Sequence, residues 1–430
     1  MRSPSFKWLI SPASLALAML MLPVAGVAQN QQYLVGFLPG TTPTAREAAI
    51  QRSGAGAQRH FGLVDGSAVT VPNGNALQAL LREPTVQFVV PDREVFAFQG
   101  KGNGPAPPPA PGEVTPPGVV RVGAPTSSSN GAGIGVAIMD TGIDFAQTDL
   151  AVSSQSFSAY GGSCHDDHGH GTHASGIVAA LKNGAGVVGV APNATLYCVK
   201  VLNSQGSGSD SNIIAGFDWI NSFAASVTPN IRVVNVSLGR AGSLNDNPLL
   251  RAAVQRLYEN GVVVVVAAGN DAALDVSQQV PATYPEVLAV ASTTAVNGTN
   301  SCKQFSGVIE ADTASYFTTD GAFNIATRIG VTVSAPGEES ESIVAGCRIT
   351  STGILSTALG GGTVRMSGTS MAAPHVAGGV ARLMQGGLSG VEIIRDYIRS
   401  HSSAFGAAPK NSPTSTYSFD GEREGVLSLP

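Results

Sequence analysis

The stretch Gly135-Val136-Ala137-Ile138-Met139-Asp140-Thr141-Gly142 passes through five residues without a polar side chain and then stops on a carboxylate. A strand with one face in water alternates apolar and polar residues, whereas a strand that is apolar throughout is covered on both faces, as in a parallel sheet between helices. Residues 231–236, 262–268 and 287–291 read the same way. Helical segments lie between these runs. One opens at Ser209-Asp210, residue types that cap helix starts, and places Ile213, Ile214, Phe217 and Ile220 on one stripe. Another carries Leu249, Leu250, Ala253, Val254, Leu257 and Tyr258 and stops at Asn260-Gly261. The alternation predicts an α/β domain, a doubly wound and mostly parallel sheet with helices on both faces. Ligands of such sheets bind beyond the carboxyl ends of the strands, which directs attention to Asp140, Ser237 and Asn270.

Upstream the composition changes. Residues 105–117 are rich in Pro and Gly and nearly free of charge, the character of an exposed linker. Before them, 33–37 reads as a strand, 44–51 as a helix, 67–71 as a strand, 75–82 as a helix and 86–90 as extended, a small α+β unit of about 70 residues that can only just support a core of its own. At the start, Arg2 and Lys7 precede the apolar residues 15–22, and Gly26-Val27-Ala28 puts small residues at the −3 and −1 positions of a cut after Ala28, the pattern of an export signal. The expected organisation is therefore signal peptide 1–28, small domain 29–99, linker 100–118 and main domain 119–430. Of the 430 residues 12% are charged and the net charge is −5, a balance that points to neither a nucleic acid nor an anionic membrane surface. Export makes disulfides the expected state of Cys164, Cys198, Cys302 and Cys347, with three pairings open.

Four blocks carry chemistry: residues 139–144 around Asp140, residues 168–176 (His168-Gly169-His170-Gly171-Thr172-His173-Ala174-Ser175-Gly176), residues 267–270 ending in Asn270, and residues 367–375 (Ser367-Gly368-Thr369-Ser370-Met371-Ala372-Ala373-Pro374-His375). Singly each has a bland reading: a turn, a helix cap, or a zinc ligand in the run Cys164, His165, Asp166, Asp167, His168, His170, His173. That run lacks the Glu of the H-E-x-x-H pattern and offers no helical pair with a general base. Together the blocks supply an acid, a base, a nucleophile and an amide donor. A serine hydroxyl attacks well only when a base takes its proton, and a histidine does so near neutral pH. A buried carboxylate fixes the imidazole tautomer, and preorganised donors hold the oxyanion that forms.

These blocks resemble those of subtilisin-like serine proteases, the subtilases, and the order Asp, His, Ser along the chain is the subtilisin order. The resemblance implies that Asp140 orients, His170 is the general base, Ser370 attacks, and Asn270 forms the oxyanion hole with the Ser370 N–H, while His173 and His375 are structural. It also implies that residues 31–98, closing near Val89-Val90-Pro91-Asp92-Arg93, are an inhibitory propeptide that assists folding, docks its tail in the cleft and is cut off autocatalytically. On this reading the chain is a secreted serine endopeptidase made as a zymogen, extracellular or periplasmic and monomeric, with protein and peptide substrates and its own propeptide as intramolecular inhibitor. The alternative is a catalytically silent binding protein on a protease scaffold.

The resemblance further implies that Gly206-Ser207-Gly208 and Ser237-Leu238-Gly239 are the two strands that sandwich an extended substrate. Ala267-Ala268-Gly269, with 237–239, would wall the pocket for the residue before the scissile bond. Those walls are small and uncharged, so apolar or aromatic residues are expected there, with Asp271 admitting some basic ones. A structural Ca²⁺ is expected from Asp149 with Leu181, Asn183, Ala185 and Val187, with Lys182 pointing outward and the ligand from the mature N-terminus unassigned. The disulfide pairing implied by resemblance is 164–198 and 302–347. Residues 307–330 exceed the family's usual connection and are expected as a surface insertion.

Overall fold

The computed structural model describes residues 30–98, 112–402 and 424–430. The signal peptide expected at 1–28 and most of the expected linker lie outside the described residues. The first unit comprises β1 (Gln31–Phe37), α1 (Pro43–Arg52), β2 (Gly56–His60), β3 (Gly66–Val71), α2 (Gly74–Arg82) and β4 (Val86–Pro91). Its strands form an antiparallel sheet in the order β2-β3-β1-β4. Thr42 and Asn73 cap the two helices through their side chains. Because side chains alternate along a strand, Val35, Phe37, Val69 and Val71 meet Ile50 and Leu80 beneath the helices, whereas Leu34 and Ala68 point the other way, into the core of the main domain. A short strand, β5 (Glu94–Ala97), then leaves this unit altogether.

The main domain follows as α3 (Pro117–Arg121), β6 (Gly135–Asp140), β7 (Val152–Ser158), α4 (His170–Ala179), β8 (Thr195–Lys200), β9 (Ser207–Ser209), α5 (Asp210–Phe223), β10 (Ile231–Val236), β11 (Leu238–Ala241), α6 (Pro248–Glu259), β12 (Val263–Ala267), β13 (Gln279–Val280) and β14 (Leu288–Thr294). It closes with β15 (Val331–Glu338), β16 (Ser340–Val344), β17 (Arg348–Thr352), β18 (Ile354–Thr357), β19 (Thr363–Met366), α7 (Thr369–Gln385) and α8 (Val391–His401). Seven strands form one parallel sheet in the order β15-β14-β12-β10-β6-β8-β7. This is the expected doubly wound arrangement. In β6, Ala137 and Met139 enter the core layer shared with α5 and α6, and Val136 and Ile138 enter the layer shared with α4, α7 and α8. The chain leaves β6 toward β8 and β7 on one side and β10 on the other, so the crevice lies where Asp140 and Ser237 end their strands.

One departure from expectation concerns the later half. Residues 307–330 are not a simple surface insertion. Ile309, Thr313, Ser315 and Thr319 are buried, and Ser315 and Thr318 bond Ser292, which is why hydroxyl-rich sequence tolerates the interior. Thr319 donates its N–H to the Gly269 carbonyl at 2.9 Å and its hydroxyl to the Asp271 carbonyl at 2.9 Å, bracing the loop that holds Asn270. After β15 comes a hairpin, β16 and β17, whose Cys347 is joined to Cys302; the other disulfide joins Cys164 to Cys198.

Glu338 and Glu341 are wholly buried at the base of that hairpin. Burial raises the pKa of Glu338 above 4.5, and burial together with the neighbouring Glu338 pushes Glu341 well above it. A group whose pKa is higher folded than unfolded contributes stability that is complete below the unfolded value and is lost as pH climbs through the folded one. Denaturant midpoints are therefore expected to fall as pH rises above about 4.5, and Glu341→Gln is expected to flatten that decline. An identical slope in the variant would refute the assignment.

Candidate active site

Asp140 and His170 meet because strand and helix approach very closely. Asp140 is the last residue of β6, and His170 opens α4 after Gly169, whose φ of 102° suits glycine. Nδ1 of His170 lies 2.8 Å and 2.9 Å from the two carboxylate oxygens of Asp140, and both side chains are completely buried. Burial opposes the imidazolium, but the charge and hydrogen bond of Asp140, with Asp166 beyond, outweigh it, and the His170 pKa is raised above 6.5. Asp166 accepts from the Thr141 hydroxyl, from the His168, Gly169 and Thr172 N–H groups and from the Thr172 hydroxyl. Sequence reading saw it only as one member of a ligand-rich run. A D-x-x-G-H spacing at a helix start was the available signal that it caps the turn.

Ser370 sits in the first turn of α7, where backbone N–H groups have no intrahelical acceptor. Its hydroxyl donates to the Ser237 carbonyl at 2.9 Å, while Nε2 of His170 is buried without a hydrogen bond. The Ser370 hydroxyl and the His170 ring are thus not joined in this state. Oδ1 of Asn270 accepts from the N–H and the hydroxyl of Thr369, both at 2.9 Å, which turns Nδ2 outward. That amide donates at 2.8 Å to the carbonyl of Phe98.

Phe98 arrives there at the end of β5. That strand lies between β9 and β11, antiparallel to both, pairing Val95 with Gly208, Phe96 with Ser207 and Gly239, and Ala97 with Leu238. Ala97 N–H donates to the Gly206 carbonyl at 2.9 Å and Phe98 N–H to the Ser237 carbonyl at 3.3 Å. The Phe98 ring presses on Gly239, where an added Cβ would come within 2.7 Å of it. The segments 206–208 and 237–239 thus flank one extended peptide, while Ala267 and Ala268 are fully buried at the end of β12. Sequence reading did not identify β5, although Val95 and Ala97 alternate with Phe96 and Phe98.

The remaining expected donors fall in two groups. Asp149 accepts from Val187 N–H at 2.9 Å and from the Asn183 amide at 3.1 Å, and Leu181 N–H bonds the Asp149 carbonyl. Lys182 is exposed, and Asn183 Oδ1 accepts from Ala185 N–H. Glu113, not recognised in the sequence, reaches the same loop and accepts from Gly184 N–H at 2.7 Å. Burial raises the Asp149 pKa, and Glu113 raises it further. The run from Cys164 to His173 does not converge: Cys164 is in a disulfide and Asp166 is occupied as described. His173 Nε2 donates to the Ile354 carbonyl, with a pKa lowered to about 3 by burial. His375 donates to the Met371 carbonyl and is lowered to about 4.

A parallel-sheet fold with this buried acid–imidazole pair, a helix-start serine and an aimed amide defines a class of serine peptidases. The sequence profile of the subtilase family matches residues 131–412. Subtilisin NAT of Bacillus subtilis subsp. natto is 32% identical over 366 residues, which cover 83% of this chain and 80% of that protein. Subtilisin Savinase of Lederbergia lenta is 35% identical over 297 residues, covering 68% and 93% respectively. Among solved structures, fervidolysin from Fervidobacterium pennivorans, a keratinolytic enzyme related to subtilisin, shares the fold with a TM-score of 0.68 at 21% identity, over 93% of this chain and 60% of that one. The chain belongs to the subtilase family and is a serine endopeptidase, acting on protein substrates. Among the described residues no helix is long and apolar enough to cross a membrane.

Catalysis that needs a neutral imidazole is lost as pH falls through the raised His170 value. The acid limb of kcat/KM against pH is expected to have its midpoint above 6.5. Asp140→Asn is expected to lower kcat by about 10⁴-fold, the scale seen when a triad aspartate loses its charge. An acid limb centred below 6.5 would contradict the coupling of Asp140 to His170.

Proposed function

We propose that this chain is an exported, self-processing zymogen in which Asp140, His170 and Ser370 cut the bond between Phe98 and Gln99. The observation that carries the reading is the hydrogen bond from Asn270 Nδ2 to the Phe98 carbonyl, at the end of a strand inserted between both rims of the cleft. Ser370 turns its hydroxyl from the Ser237 carbonyl to Nε2 of His170 and attacks the Phe98 carbonyl carbon. His170 takes the proton, Asp140 stabilises the imidazolium, and Asn270 with the Ser370 N–H holds the oxyanion. His170 then gives the proton to the departing amine of Gln99, and a water activated by His170 hydrolyses the Phe98 ester. In subtilisin, removing the corresponding amide donor costs about 2.7–4 kcal/mol of transition-state stabilisation.

The same geometry supports an apolar or aromatic preference before the scissile bond, since Phe98 already occupies that position against Gly239. Residues 30–98 would stay bound as inhibitor after the cut. Residues 1–28 would direct export to the extracellular space or periplasm, and the mature enzyme would act as a monomer.

The chain lacking 1–28 is expected to shed a segment ending at Phe98, read by intact mass, while Ser370→Ala stays whole. A parent that remains uncut though folded would favour the silent-scaffold reading, and equal cutting of both would assign the processing to another protease.

We also propose a structural Ca²⁺ held by Asp149, Asn183, the carbonyls of Leu181, Ala185 and Val187, and Glu113 as the contribution from the N-terminal arm. All these donors are oxygen, and a cation would relieve the raised pKa of Asp149 beside Glu113. Chelation is expected to lower the thermal midpoint of the Ser370→Ala chain, with the difference abolished by Asp149→Asn. An unchanged midpoint after exhaustive chelation would overturn it.

A further inference from the structure

Arg382 lies twelve residues beyond Ser370, about 18 Å further along α7. It is 6% exposed, and among the described residues no carboxylate stands within ion-pair distance of it. Its Nε donates to the Val190 carbonyl, and its Nη1 to the carbonyls of Ser129 and, at 3.4 Å, Ser127. Nη2 takes no part in these bonds. A guanidinium presents five N–H donors in a planar fork, and a buried cation without a counter-charge is costly. Burial accordingly pulls the Arg382 pKa down to about 10.

The guanidinium borders a cavity of about 230 Å³ whose rim also carries Lys182, Asn193, Asn130, Ser128 and Thr115, and no Asp or Glu. At about 30 Å³ per water this space is far larger than a single solvent molecule needs. It offers two cations, one of them fixed and presenting a free edge, with amide and hydroxyl donors around them. That set recognises an oxyanion, which a planar guanidinium grips through paired N–H bonds.

We propose that this cavity is an anion site for a small oxyanion, either a free tetrahedral ion such as sulfate or phosphate or a carboxylate. Its walls come from the arm at Thr115 and Val119, the segments 124–130 and 188–193, the loop carrying Lys182, and α7. An anion there ties the arm and the loop to the central helix, and so stabilises the segment that follows the Phe98–Gln99 bond. The site is independent of the peptidase mechanism and sits outside the catalytic machinery.

The test is the thermal midpoint of the Ser370→Ala chain against sulfate, with ionic strength balanced by chloride and calcium held constant. The midpoint is expected to rise hyperbolically and saturate. Lys182→Ala, which changes an exposed side chain, is expected to raise the half-saturating sulfate concentration several-fold, and Arg382→Met to abolish saturation. If Arg382→Met does not fold, Lys182→Ala decides alone. Saturation by acetate with no response to sulfate or phosphate assigns a carboxylate occupant, and the reverse assigns a free tetrahedral oxyanion. A rise that is linear in sulfate, as expected of a salt excluded from protein surfaces, or one unchanged by Lys182→Ala, overturns the proposal.

Discussion

The carboxylate of Asp140 is wholly buried, and polar hydrogens converge on it: the Thr141 N–H at 2.7 Å and the His170 ring N–H on both oxygens. Burying a polar group without such partners is costly. Much of the local architecture follows from meeting that demand. Helix α4 must bring its first residue down onto the end of β6, and glycines permit it. A Cβ on Gly171 would lie 2.1 Å from the Gly142 carbonyl oxygen, and Gly142 itself takes a φ of 117°. The helix start is in turn fixed by Asp166, whose pKa stays low because its many hydrogen bonds overcome burial. A second relay of the same kind runs through Thr369, which holds Asn270 by its oxygen so that the amide hydrogens face the cleft.

How much of this could be read from the chain depended on whether the signal was local. The buried strands are legible because Val263 to Ala267 can be accommodated only with helices on both faces. The helices declare themselves through Ser209 and Asn247 at their starts and Gly261, at φ 74°, after a finish. The blocks around Asp140, His170, Asn270 and Ser370 are legible because their neighbours are constrained by close backbone contacts. Residues whose roles depend on distant partners were not. Glu113 is an unremarkable acidic residue until its arm lies along Val187 and Val188. Residues 307–330 look like loop sequence because hydroxyls satisfied by backbone groups leave no apolar periodicity. Strand β5 is only four residues, and its two partners come from another domain. Arg382 falls in the second half of a helix, beside the buried apolar residues Val380, Ala381, Leu383 and Met384, and nothing in its neighbourhood along the chain signals a cavity.

The two units are joined by more than the strand in the cleft. Asp92 accepts from the Ser211 N–H and hydroxyl at the start of α5, Arg93 pairs with Asp246 at 3.0 Å, and Gly62 N–H donates to Asp218. These contacts are specific in geometry, whereas the apolar ones carry area: Leu34, Phe61, Val64, Ala68 and Val95 belong to the same core as α5 and α6.

That shared core makes association and folding of residues 30–98 linked equilibria. Separated from its partner, the small unit exposes one whole face of its sheet and keeps only the core beneath its own two helices, built on Val35, Phe37, Ile50, Val69, Val71 and Leu80. A unit of this size buries only about 60% of its unfolded surface even when complete, so losing a face moves it toward the unfolded side. Its grip on the cleft therefore depends steeply on its own conformational stability. Under the proposed self-processing, departure would behave as a ratchet: a small unit that left and unfolded would have to fold again before it could rebind, and any peptidase that digested the open chain would remove it from the equilibrium.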